Sequence, residues 1–202
     1  MIAMTTNVTS TGHGLAEEFA SVDLLVNSSL ETRGIDAFAL AVIKHERQLR
    51  RLVTYTVFQF PCFTQADATA LRDQLAKSTK VYDKELMEGI EALWPQTLAD
   101  VVGPRFAPLR TMLDEARKVR GKVFHGQITE QGLDRDDLFE LVARIREWCG
   151  LIAVGAQALV GYDGFGRNSY RKGPDVTLHR RLKRQFNSVA DFQAFLVDTL
   201  ER

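Results

Sequence analysis

Apolar residues recur at three- and four-residue intervals along almost the whole chain, and the strict two-residue alternation of strands is nearly absent. The pattern predicts an all-α fold. A helix with an acidic start is expected from about Gly14 to Leu30. A longer one runs from Ile35 to Phe60, with Phe38, Val42, Leu49, Leu52, Val53 and Val57 on one stripe, and should stop near Pro61. A shorter helix begins at Thr64, with Asp67 as a capping partner, and another covers Val81 to Trp94 before Pro95. Pro104 opens a helix that reaches Phe124, carrying Phe106, Leu109, Met112, Leu113, Ala116, Val119 and Val123 on its apolar face. The next is the best marked. Asp134 suits the N-cap, Leu133 and Leu138 suit a staple, and Asp136 and Asp137 suit the positive helix end. Its apolar face continues through Ile152, and the helix can extend to about Tyr162. The stretch GYDGFGRNSYRKGPD reads as a loop, and a last helix starts at Ser188. Burying these stripes calls for a bundle of long helices. The organisation expected is a flexible N-terminus at 1–13, a helical bundle at 14–162, and a basic loop with a C-terminal helix at 163–202, packed on the same domain.

Composition sharpens this picture by exclusion. The 202 residues carry 26 Lys plus Arg and 26 Asp plus Glu, so no global field draws the protein to nucleic acid or membrane. The uncharged, largely apolar run Trp148 to Tyr162 is 15 residues, short of the roughly 18 that a span requires. The opening MIAMTTNVTSTGHG has neither a basic nor an apolar region of a signal peptide. Cys62 and Cys149 sit among apolar residues without metal or disulfide spacing, which fits a reducing cytoplasm. His13 and His179 lack carboxylate or cysteine companions at ligand spacing, so no metal site is expected, and no cofactor motif stands out. The G-x-x-G-x-G of GYDGFG follows no strand and is not a dinucleotide fingerprint.

One residue breaks the helical pattern. On a wheel of about 100° per residue with Phe106 at zero, the apolar residues of the Pro104–Phe124 helix occupy about 220° to 360°, and Arg120 falls at about 320°. A guanidinium on the core side requires a partner, a substrate anion or a subunit interface, whereas Arg117 and Lys118 suit solvent. His125 lies five residues later, about 140° around and about 7.5 Å along an ideal helix. Gly126 can end the helix and let the two side chains converge. A histidine that moves protons and an arginine that forks onto phosphate oxygens together suit cleavage of RNA through its 2′-hydroxyl. One histidine per subunit is thin for that chemistry, and a two-fold dimer would supply two. The bland alternative is a histidine favoured at a helix C-terminus.

The motif Arg120-Gly121-Lys122-Val123-Phe124-His125, between two long helices of an all-helical chain, resembles the R-x4-6-H motif of the HEPN superfamily. That family comprises small helical bundles and includes many metal-independent ribonucleases. The resemblance covers roughly residues 104 to 162. It implies a composite endoribonuclease site across a homodimer, with His125 transferring protons and Arg120 stabilising the phosphate. It also implies a possible antitoxin or defence-system partner protein. Gly121 stands where many active members carry Asn or Asp, and Gln127 stands where a toxin branch carries tyrosine. A catalytically silent module binding RNA, nucleotide or a partner protein is the second expectation.

Local charge supplies the remaining candidates. RNSYRKGPDVTLHRRLKR holds seven Lys or Arg against Asp175 alone, with Phe165 and Tyr170 interleaved for base stacking. Lys122, Arg167, Tyr170, Arg171 and Lys172 are therefore the expected RNA contacts. Lys44, Arg47 and Arg51 follow helical spacing and read as a solvent-facing stripe, the alternative being that they line the RNA groove.

Overall fold

In a computed structural model, which describes residues 13–78, 81–124, 133–166 and 169–201, the chain is all-helical among those residues. The expected N-terminal tail at 1–13 lies outside them except for its last residue. The α-helices are α1 (His13–Val26), α2 (Arg33–Phe58), α3 (Ala68–Lys77), α4 (Asp83–Leu93), α5 (Leu98–Val102), α6 (Phe106–Phe124), α7 (Arg135–Val160) and α8 (Val189–Phe195).

The predicted ends hold because side chains cap them. Thr64 donates its N–H and its hydroxyl to the Asp67 carboxylate, each at 2.8 Å, at the turn into α3. Asp134 accepts from the N–H groups of Asp136 and Asp137 at 2.8 and 2.9 Å and starts α7. Ser188 accepts from the Asp191 N–H and starts α8. Other boundaries differ from expectation: α1 ends at Val26 rather than near Leu30, and a 3-10 turn over Gln65–Asp67 precedes α3. Leu98–Val102 forms a separate short helix, capped by Thr97 and Asp100, and Pro104 belongs to a 3-10 turn before α6. Gly161, at φ +79, ends α7 before Tyr162.

α2 is the axis of the bundle, packing against α1, α4, α6 and α7. Its whole predicted stripe is buried, and from Leu52 to Phe60 every residue is buried. Each large apolar side chain so buried contributes about 1.5–3 kcal/mol. The indole N–H of Trp94 donates to Thr56 at 3.0 Å inside this core. Cys149 is buried as expected, whereas Cys62 is exposed, its thiol donating to the Phe186 carbonyl. No helix among the described residues is long and apolar enough to cross a membrane.

The loop after α7 wraps the C-terminal half of α2 and closes it. Lys172 donates from Nζ to the carbonyls of Phe58 and Phe60 at 2.5 and 2.6 Å, satisfying acceptors that the helix end leaves open, and its ammonium sits 4.8 Å from the Phe58 ring centroid. Gln59 links the same end to the loop, donating to the Arg171 carbonyl and accepting from the Gly173 N–H. Lys172→Met keeps the aliphatic stem and removes both charge-assisted bonds. It should lower unfolding stability by about 1–2 kcal/mol in urea melts, and an unchanged midpoint would show that the cap is dispensable.

Candidate active site

α6 presents Leu109, Met112, Leu113, Ala116 and Val119 to the core, all buried. Arg120 leaves the helix within that arc and finds a carboxylate there. Its Nη2 lies 3.1 Å from Oε1 of Glu46 on α2, with side chains 27% and 15% exposed. The guanidinium carbon sits 5.2 Å from the ring centroid of Tyr82, just before α4. Burial pushes the Glu46 carboxyl above its ordinary value, and the Arg120 charge opposes that shift. The wheel anomaly is thus a cation oriented by a carboxylate and an aromatic face.

A second ion pair lies beneath the first. Arg117, expected in solvent, donates to both oxygens of Asp83 at 3.1 and 2.7 Å and to Asp114 at 2.7 Å, whereas Lys118 is exposed as expected. Burial disfavours the charged form of Asp83, but the Arg117 hydrogen bonds and charge hold its carboxyl below the ordinary range. The Asp83 bond in turn holds the Arg117 guanidinium firmly protonated. His45 is 2% exposed and packs edge-on to Trp148, ring centroids 6.5 Å apart. Its Nε2 has no hydrogen-bond partner among the described residues. Burial pushes its pKa down to about 4, so the ring is neutral at pH 7. His45, Asp83, Arg117 and Arg120 line one small pocket.

The other expected site residues are distributed unevenly. His125, Gly126 and Arg167 lie outside the described residues. Lys122 is on the last turn of α6, partly exposed. Arg171 is exposed. Tyr170 is half-buried, its ring edge-on to Phe58 at 5.8 Å and covered by the Arg72 guanidinium at 5.4 Å. Phe165 is buried, so its ring offers no face to a base. Phe58, which holds Lys172, is twelve residues beyond Glu46, about 18 Å along an ideal helix. The basic loop therefore gathers at one end of α2, and Arg120 sits at its middle.

Glu46, Tyr82 and the Asp83–Arg117 pair escaped the sequence reading, although a signal existed for the first. On a wheel for α2 with Phe38 at zero, its apolar residues span about 320° through 100°, and Glu46 falls at about 80° and His45 at about 340°. Both ionisable groups occupy the apolar arc, as Arg120 does on α6. Comparison with family models, curated proteins and solved structures returns no match for this chain.

The buried histidine gives the core a pH dependence of definite sign. An unfolded His45 takes up its proton near its ordinary value of 6.5, whereas the folded one resists until about 4. Stability should therefore fall as pH drops through that window and level off below it, by about 3 kcal/mol from this group. The lowered Asp83 carboxyl adds acid sensitivity of the same sign at lower pH, and the raised Glu46 carboxyl opposes it. Urea melts at about pH 7 and about pH 4 should show a smaller loss in His45→Gln than in the parent. Equal losses would remove His45 as the source.

Proposed function

We propose that the chain is a metal-independent endoribonuclease of HEPN type, acting as a homodimer in a toxin or defence setting. The observation that carries the reading is Arg120: a cation on the core side of α6, oriented by Glu46 and Tyr82, partly open to solvent and five residues before His125 in sequence. The all-helical bundle is the fold that the resemblance implies.

In this reading the 2′-hydroxyl of RNA attacks the adjacent phosphorus and the 5′-oxygen departs. His125 of one subunit takes the hydroxyl proton, and its symmetry mate protonates the leaving oxygen. Arg120 stabilises the extra negative charge on the crowded phosphate, and its planar fork acts best when its orientation is set beforehand. Glu46 is then a positioning residue. The second reading, a silent module that binds RNA, nucleotide or a partner protein, is favoured by Gly121 and by the partial neutralisation of Arg120 by Glu46.

Incubation with mixed RNAs in chelator should give fragments ending in 2′,3′-cyclic phosphate. His125→Ala should slow cleavage by about 100-fold or more, and Arg120→Ala comparably. Glu46→Gln, confirmed folded by circular dichroism, should reduce kcat by about tenfold or more, because it frees the guanidinium to rotate. Persistent cleavage by His125→Ala would sink the nuclease reading. RNA retention without cleavage by the parent chain would establish the silent module.

A further inference from the structure

A cleft of about 680 Å³ opens between the start of α1, the middle of α2 and the loop that follows α7. Lys44, Arg47 and Arg51 of α2 line it, and Arg171 reaches it from the loop. On the α2 wheel these three fall at about 180° to 240°, more than about 100° from Glu46. The cleft is therefore on a different face of α2 from Arg120 and is independent of the nuclease reading.

Glu18 of α1 is the carboxylate among these cations, 3.2 Å from Lys44, 3.0 Å from Arg47 and 3.5 Å from Arg51. One negative charge is shared by three positive ones, and Arg171 makes no ion pair among the described residues. The side chains of Lys44 and Arg51 are only 15% exposed, so these are not a solvated stripe. Half-buried like charges are unfavourable until further anions join them.

The wall facing them is held in place without a ligand. Gln48 donates to the carbonyls of Cys149 and Asp163 at 3.0 and 3.1 Å, and Arg51 donates to the Phe165 carbonyl at 2.6 Å. Gly164, at φ +86, lets the loop approach α2 where a Cβ would lie 2.6 Å from the Gln48 side chain. The Tyr162 ring stacks on Tyr55 at 4.6 Å. A cleft already shaped loses little freedom on binding, and its volume falls within the roughly 300–1,000 Å³ of small-molecule sites.

The lining also restricts what fits. Arginine forks match phosphate oxygens, and Arg47 and Arg171 are both exposed at the cleft. Glu17 and Asp163 line it too, and with Glu18 these carboxylates would repel a run of phosphates while accepting hydrogen bonds from hydroxyls. Tyr162 and Phe165 are buried, so no ring of the cleft wall is open to stack a base. We propose that this cleft binds a small phosphorylated polyol of the sugar-phosphate class. Its phosphate meets Lys44, Arg47 and Arg171, and its hydroxyls meet Glu17 and Asp163.

Calorimetric titration of the full chain with ribose 5-phosphate and glucose 6-phosphate tests this, with ribose, inorganic phosphate and an oligouridylate as companions. At least one sugar phosphate should bind saturably and more tightly than inorganic phosphate, and ribose should not bind. Arg47→Ala and Arg171→Ala should each weaken binding about tenfold. Glu17→Gln should weaken the sugar phosphate without weakening inorganic phosphate. The proposal is overturned if neither sugar phosphate binds in the millimolar range, or if the double arginine variant, folded by circular dichroism, binds as well as the parent. Oligouridylate binding that needs Arg47 and Arg171, with no sugar-phosphate binding, would also overturn it and make the cleft an RNA track.

Discussion

A central helix packed on by four others leaves its ionisable residues little solvent to face, and that constraint organises this molecule. α2 carries Lys44, His45, Glu46, Arg47, Arg50 and Arg51 within two turns of its buried body. Placing a charge there is unfavourable unless an opposite charge or a hydrogen-bonded carbonyl meets it. Each surrounding element answers for one direction. α6 brings Arg120 to Glu46, α1 brings Glu18 to the three cations, and the loop carbonyl of Phe165 takes Arg51. Arg50 donates to the Val81 carbonyl before α4. The apolar stripes set which helices pack together, and these polar contacts help fix how they are seated.

The two faces of α2 have different electrostatic characters as a result. Toward α4 and α6, cations and carboxylates meet nearly one to one: Arg120 with Glu46, and Arg117 with Asp83 and Asp114. A guanidinium in such a setting is oriented more than it is attractive, which suits a group required to stabilise charge that develops during a reaction. Toward α1 and the loop, Glu18 pairs with three cations, Arg171 stands beside them, and Glu17 and Asp163 bring the carboxylates to three against four cations. Residual positive charge accumulates there, which suits recognition of an anion already formed.

Helix starts were legible in the sequence where a capping side chain precedes an apolar stripe long enough to show its period. Asp134, Ser188 and the Thr64–Asp67 pair are local signals, and each caps its helix as its spacing implies. α5 escaped because five residues between Pro95 and Gly103 are too few to show periodicity, although Thr97 and Asp100 carry the same capping chemistry. Arg120 was legible as an anomaly because its wheel was read for charge as well as for apolar residues. Glu46 and His45 were not, because the α2 stripe was read through its apolar members alone. Tyr82 and Asp83 carried no comparable mark: they lie at the start of α4, and only packing brings them to α6.

The basic loop shows where reading by composition fails physically. Seven cations in eighteen residues read as one surface, yet the structure gives three of them separate tasks. Lys172 closes the end of α2, Arg181 pairs with Asp175 at 2.6 Å, and Lys183 donates from Nζ to the Glu91 carbonyl of α4 at 3.0 Å. Their charges remain, but geometries fixed by those bonds cannot also follow the path of a nucleic-acid backbone without breaking them. Any RNA held near Arg120 would need phosphate contacts besides these three. In the proposed dimer the symmetric partner is the natural source, so dimerisation would serve binding as well as proton transfer.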